Sequence, residues 1–155
     1  MNNILKNTNK GRKFEKMMAK VNNVSLIRGS GRNVWHKGDL ESNEYLIECK
    51  YIIDKPSIRI SSTIVNKIKE EAISTNKKWA IILGIEKLGQ RFVIVEKAGC
   101  HQYQGPIVDK EHFIVSSGGF TFKTEGYKLV KQSEETLGSE LIMVPMYEFR
   151  YILCR

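Results

Sequence analysis

The chain has 155 residues, 41% of them hydrophobic, and a formal net charge of +8, which suits one globular domain and excludes wholesale disorder. No apolar run reaches the about 18 residues of a membrane-spanning helix, and the first residues lack the apolar segment of a secretory signal. The three cysteines are odd in number and widely spaced, which favours a reducing cytoplasm over a disulfide framework. We therefore expect a cytoplasmic protein with no membrane partner and no organic cofactor.

The positive charge is concentrated near the N-terminus. Residues 1–37 contain nine Lys and Arg against one acidic residue, Glu15, whereas residues 38–155 contain 16 basic and 16 acidic residues. A local excess of one sign attracts polyanions through phosphate contacts and counterion release. Nucleic acid is the expected partner, although lysines that serve solubility alone remain an alternative.

The first predicted element is a helix that is capped within residues 7–9 and ends near Lys20. A short strand is predicted over Val24–Arg28, and Gly29-Ser30-Gly31 then opens a basic loop through Lys37. One arc of the helix carries the apolar residues expected to be buried, which are Phe14, Met17, Met18 and Val21.

A hairpin is predicted over Gly38–Tyr51, with its turn at Glu41–Glu44 and its return strand at Tyr45–Lys50. An amphipathic helix follows from about Ser62 to Asn76. Its inward face is expected to hold Ile64, Val65, Ile68 and Ala72, and its outward face Lys67, Lys69, Glu70 and Glu71.

The next elements are two strands. Trp79–Ile85 is a continuous apolar run, typical of a strand buried on both faces, and a turn at residues 88–90 leads to the partner strand Arg91–Glu96. The order predicts an α/β fold with a central mixed β-sheet flanked by helices. Residues 97–155 are expected to form a β-rich extension of the same domain, with apolar runs at Phe113–Val115, Phe120–Phe122, Leu141–Val144 and Phe149–Cys154.

The chemistry is predicted to lie on the hairpin. Alternate side chains of a strand share a face, so Glu48 and Lys50 project together and Cys49 points into the core. The short turn brings Asp39 close to Glu48, and two carboxylates at one place favour a cation between them. Oxygen ligands that include the Cys49 backbone carbonyl suit Mg²⁺, and an adjacent ammonium stabilises charge on a phosphate. Taken alone, such an E-x-K triplet is more often a pair of solvated residues.

Gly38-Asp39 followed by Glu48-Cys49-Lys50 resembles the signature of the PD-(D/E)xK nucleases, and the layout resembles the archaeal-type Holliday junction resolvases. The likeness covers residues 10–96, so the nuclease core is expected within residues 1–96. It also includes the segments Lys10–Glu15, Leu26–Gly31, Trp79–Leu83 and Arg91–Val95.

The resemblance implies a restriction-endonuclease-like fold and a Mg²⁺-dependent homodimeric endonuclease, in which Mn²⁺ substitutes for Mg²⁺, that nicks a four-way DNA junction symmetrically. Asp39 and Glu48 take the positions of the metal-binding acids, with the Cys49 carbonyl beside them. Lys50 takes that of the catalytic lysine, and Glu15 that of a helix acid near the metal. The residues expected to bind DNA are Lys10, Arg12, Lys13, Arg28, Ser30, Arg32 and Lys37.

Two departures from the family pattern leave alternatives open. Gly38 stands where the pattern has proline, and the separation between Arg28 and Asp39 exceeds that of the shortest members. A nuclease with another DNA substrate (restriction-type, nicking or flap) has the same predicted site. A catalytically inactive DNA-binding protein is the third possibility. Glu15 has an alternative of its own, an ion pair with a lysine one turn along its helix.

Overall fold

The structure is a computed structural model that describes residues 2–27, 38–100, 103–131 and 140–148, with side chains from residue 8 onward. Within these ranges it contains two complete α-helices and eleven strands, and residues 146–148 are also helical. The helices are α1 (Asn2–Asn22) and α2 (Ser62–Ser74), and the strands are β1 (Ser25–Leu26), β2 (Leu40–Glu41), β3 (Tyr45–Ile52), β4 (Ser57–Ile60), β5 (Lys78–Ile85), β6 (Gln90–Glu96), β7 (Pro106–Val108), β8 (Phe113–Ser116), β9 (Gly119–Lys123), β10 (Leu129–Lys131) and β11 (Leu141–Pro145).

The centre of the fold is a six-stranded sheet in the order β1-β2-β3-β5-β6-β11. β3 and β5 run parallel, whereas the other neighbouring strands are antiparallel. The crossover from β3 to β5 contains α2, as a parallel connection requires. The predicted α/β class with a central mixed sheet is confirmed.

The sheet separates two apolar cores. Alternate side chains of β5 enter opposite cores, with Ala80 and Ile82 in the one that α1 covers and Ile81 and Leu83 in the one that α2 covers. Residues Trp79–Ile85 are all buried, as predicted for a strand with both faces covered. α1 and α2 therefore lie on opposite faces of the sheet.

Residues after position 97 contribute to these cores directly. β11 pairs with β6 and completes the central sheet, while β9 pairs with both β8 and β4 in a separate three-stranded sheet. β7 and β10 form a third, two-stranded sheet. The predicted apolar runs at 113–115, 120–122 and 141–144 all lie in strands, and the run at 149–154 lies outside the described residues.

Several details differ from the sequence-based expectations. α1 begins at Asn2 rather than after a cap at residues 7–9, and the first strand is only Ser25–Leu26. Met17 is 39% exposed and lies at the edge of the apolar stripe, because Phe14 and Met18 already fill the contact with the sheet. β4, β7 and β10 were not predicted, since strands of three or four residues leave little periodicity in a sequence.

α2 ends at Ser74, two residues before the predicted Asn76. The outward position predicted for Glu71 is wrong, because its carboxylate oxygen Oε2 accepts a 3.1 Å hydrogen bond from the Gly38 N–H. No helix of the described ranges has the length and apolar character needed to cross a membrane.

Candidate functional site

The hairpin of β2 and β3 positions Asp39. The turn is closed by a hydrogen bond from the Ser42 N–H to the Tyr45 carbonyl (2.9 Å) and one from the Tyr45 N–H to the Ser42 hydroxyl (3.0 Å). Asp39 then donates its N–H to the Ile47 carbonyl (2.9 Å), and its Oδ2 accepts the Cys49 N–H (2.8 Å). The Asp39 carboxylate thus lies against β3 beside the backbone of residues 47–49.

Glu48 and Lys50 project from the same face of β3. The Lys50 ammonium donates to Glu48 Oε1 over 2.5 Å, and the two side chains are 33% and 20% exposed respectively. Cys49, between them, is buried on the opposite face in the core under α1. The predicted alternation along this strand is confirmed.

Gly38 explains why the residue before Asp39 is not proline. Its φ is +68°, a left-handed conformation that glycine adopts without strain and that the proline ring forbids. Its N–H is the donor to Glu71, and proline has no N–H to donate. A Cβ at this position would also lie 3.0 Å from Leu46 Cγ. The geometry that holds Asp39 therefore requires glycine here.

Glu15 reaches the site from α1. Its neighbour Phe14 is buried against the sheet, where its ring lies 5.0 Å from that of Tyr51 on β3. Burial raises the pKa of Glu15, and the negative charges of Asp39 and Glu48 raise it further. The alternative of a lysine ion pair is not seen, because the described ion pairs do not include Glu15.

Lys50 is surrounded by the acidic groups of the site. Burial disfavours its charge, but attraction to Glu48 and then to Asp39 outweighs burial, so the pKa of Lys50 is raised. The side chain is therefore an ammonium at neutral pH. In this state it donates hydrogen bonds and stabilises negative charge, and it does not accept a proton.

The donor chemistry of the site fits Mg²⁺. Mg²⁺ in proteins takes one or two carboxylates and keeps several waters for substrate phosphates to replace. Asp39 and Glu48 supply the carboxylates, and the Cys49 carbonyl faces the side where Asp39 lies because the N–H and C=O of one strand residue point the same way. The described residues contain no cluster of three or more His, Cys, Asp or Glu arranged to hold a metal. The residues therefore fit a site of two carboxylates, Asp39 and Glu48. To bind the ion, the Glu48 carboxylate would have to turn away from Lys50, with which it is paired in the structure. Glu15 would not be one of these two ligands.

The described residues of the predicted DNA-binding group lie on α1. Arg12 and Lys13 are exposed, and the charge of Arg12 lowers the pKa of Glu15, opposing its rise. Lys10 is exposed and forms a 2.8 Å ion pair with Glu86, so a phosphate would compete with Glu86 for its ammonium. Arg28, Ser30, Arg32 and Lys37 lie outside the described residues.

Sequence analysis missed two residues that support the site. Gly84 on β5 faces Phe14, and a Cβ there would lie 2.4 Å from the Phe14 ring. Glu71 anchors the backbone before Asp39 from α2. No local pattern signals either role, because each depends on a contact between elements distant in the chain.

A comparison of the chain with models of protein families, with curated proteins and with solved structures finds no match.

Proposed function

We propose that this chain is a Mg²⁺-dependent, structure-selective DNA endonuclease of the PD-(D/E)xK type that resolves four-way junctions by paired symmetric nicks. The observation that carries the proposal is that Asp39, Glu48 and Lys50 lie together on the hairpin, with Glu15 of α1 near enough for the charges of Asp39 and Glu48 to raise its pKa. The resemblance to the PD-(D/E)xK nucleases gives each of these four residues a role in the active site. A restriction-endonuclease-like arrangement of the mixed sheet is part of the proposal.

The acidic groups and Lys50 divide the work of phosphodiester hydrolysis. Asp39, Glu48 and the Cys49 carbonyl would hold Mg²⁺, which would polarise the phosphate and lower the pKa of a bound water. The Lys50 ammonium orients the attacking water and stabilises charge that develops on the phosphate. Glu15, whose raised pKa lets it carry a proton more readily than an ordinary carboxyl, exchanges hydrogen bonds with that water.

The basic surface supports binding by shape rather than by sequence. Arg12 and Lys13 of α1 lie exposed beside Glu15, and phosphate contacts from such residues fix position without base readout. Two cuts related by two-fold symmetry require two sites related in the same way, so the proposal includes a homodimer.

A cleavage panel tests the proposal. Purified full chain is incubated with a labelled four-way junction, a linear duplex, a flap and a single strand, with Mg²⁺, Mn²⁺ or EDTA. Paired symmetric nicks are expected in the junction alone, with either metal and not with EDTA. Asp39→Asn should abolish cleavage, whereas Asp54→Asn, an identical change at an exposed site whose φ of +55° suits asparagine, should not.

Each other outcome has a defined meaning. Broad metal-dependent cutting of duplex or flap assigns the same site to another DNA substrate. Salt-sensitive junction binding without any cleavage indicates an inactive DNA-binding protein. Cleavage that Asp39→Asn leaves intact would overturn the assignment of the site.

A further inference from the structure

A groove lies beside the second half of α1. It encloses about 540 Å³, a volume within the range of small-ligand sites. Its lining combines cationic, aromatic and apolar groups, and no acidic side chain is among the lining residues that the structure describes. The residues that matter for its chemistry are Val21, Gln90, Arg91, Tyr127, Leu129 and Tyr147.

Two tyrosines supply aromatic surface in the groove. Tyr147 is 65% exposed, which is unusual for so large a ring. Tyr127 is held by edge-to-face packing on Phe92, with ring centroids 5.4 Å apart at 88°. Both side chains line the groove, and burial raises the pKa of Tyr127, with a further contribution from Tyr147. One ring is thus fixed and the other is accessible.

Arg91 supplies the positive charge. Its Nη2 lies 3.7 Å from the sulfur of Met17, so the side chain rests against α1. It takes part in none of the ion pairs found in the described ranges. A guanidinium without an internal carboxylate is available to a phosphate.

The groove opens at the same end of the sheet as the candidate active site. The strand register places Tyr51 opposite Gly84, and Gly84 opposite Arg91, in a row across β3, β5 and β6. Tyr51 and Lys50 point to opposite faces of β3, so a DNA strand that reaches both the groove and the candidate active site passes around this end of the sheet.

We infer that this groove binds unpaired nucleotides of the DNA strand next to the cleavage site, with a base on Tyr147 and a phosphate on Arg91. The choice of DNA as the occupant rests on the proposed function and on charge complementarity, since the chain is strongly basic and the groove presents a cation without a described acid. Stacking on an aromatic ring is tolerant of sequence, as binding by structure demands. Junctions and flaps both offer unpaired or readily unpaired bases.

The experiment measures the affinity of full chain for a fluorescent eight-residue oligothymidylate and for a matched duplex, by anisotropy in EDTA so that no cleavage occurs. Tyr147→Ala and Arg91→Gln should each weaken single-strand binding at least about fivefold, the loss expected for one stacked base or one charged contact. Duplex affinity should change less than twofold. Tyr147→Phe, which keeps the ring, should bind as the parent does.

A second control and a second readout keep the result interpretable. Ile73→Ala removes an apolar side chain that is 75% exposed on α2, and it should leave both affinities unchanged. Thermal melting establishes that each variant folds. Photocrosslinking of an oligonucleotide that carries 5-iododeoxyuridine, followed by peptide mass spectrometry, should identify Tyr147 or Tyr127.

The two proposals fail in different ways. Equal single-strand affinity of the parent and Tyr147→Ala, or absence of saturable oligonucleotide binding, overturns the groove assignment even if junctions are cleaved, and leaves a protein segment as the occupant to consider. Single-strand binding that depends on the groove residues, without metal-dependent cleavage of any DNA, overturns the nuclease proposal but supports the groove as a nucleotide-binding site.

Discussion

Lys50 acts in this account through its charge, which two carboxylates on neighbouring strands maintain. Lys50→Ala should therefore lower the single-turnover rate of junction cleavage about 10²–10³-fold, as removal of one preorganised electrostatic donor does. Junction affinity should stay within about threefold, because the proposed function assigns most of the phosphate contacts to α1. Lys110→Ala removes an exposed lysine between β7 and β8 and should leave the rate unchanged. A Lys50→Ala enzyme that cleaves at the parental rate contradicts this role.

Glu15 predicts a pH-dependent difference in stability. Since its folded-state pKa is raised, the folded chain binds more protons than the unfolded chain, and stability falls as pH rises from about 4.3, the ordinary glutamate value, through the folded pKa. Glu15→Gln lacks this loss. In EDTA, the melting temperature of Glu15→Gln minus that of the parent should increase from pH 4 to pH 7. For Glu70→Gln, an exposed position on α2, this difference should stay constant. If the melting-temperature difference between Glu15→Gln and the parent decreases over this range, the burial of Glu15 near other acids is contradicted.

The residues of the site differed in how far the sequence could predict them. Asp39, Glu48 and Lys50 lie on one hairpin, so their proximity follows from a short turn and the two-residue period of a strand. Glu71 and Arg91 lie on other elements, and their contacts with Gly38 and Met17 depend on how those elements pack. Long-range packing leaves no spacing pattern to detect.

At the scale of elements, Gly84 allows α1 to pack closely on the sheet. An alanine Cβ there would lie 2.4 Å from the Phe14 ring and 2.9 Å from that of Tyr51, so the helix would have to shift. Gly84→Ala should destabilise the fold by about 1–3 kcal/mol, the usual cost of overpacking, and should slow cleavage because Glu15 moves with Phe14. Denaturant unfolding and single-turnover kinetics measure the two effects.

Gly11→Ala is the matched control for that substitution. It lies within α1, and a Cβ there has no atom within 4 Å among the described neighbours, so it should stabilise the chain by about 0.5–1 kcal/mol through helix propensity. Combining Gly84→Ala with Phe14→Leu should restore part of the lost stability. Failure of Gly84→Ala to destabilise contradicts the close packing of α1 on β5.

Long elements were predicted well and short ones poorly, for a physical reason. α2 and β5 carry enough residues for their periodicity to show, and both were placed within two residues of their observed ends. β4, β7 and β10 have three or four residues each, and their strand geometry comes from pairing partners far along the chain.

At the scale of the whole molecule, the central sheet depends on the C-terminal part of the chain. β11 supplies Ile142, Met143 and Val144 to the cores on both faces, and β9 covers α2 with Phe120 and Phe122. A fragment of residues 1–96 lacks these strands although it holds the whole signature of the site. It should show no cooperative thermal transition by circular dichroism, whereas the full chain should. A cooperatively melting fragment contradicts the integration of these strands.

The proposed function requires that Asp39 and Glu48 share one divalent ion beside Lys50. Mn²⁺ titrated into uniformly ¹⁵N-labelled full chain broadens the amide signals nearest to its binding site, and this detects even weak binding. We predict selective broadening at residues 39 and 48–50 that Asp39→Asn abolishes and Asp54→Asn preserves. Broadening centred elsewhere, or broadening that Asp39→Asn leaves unchanged, contradicts the account.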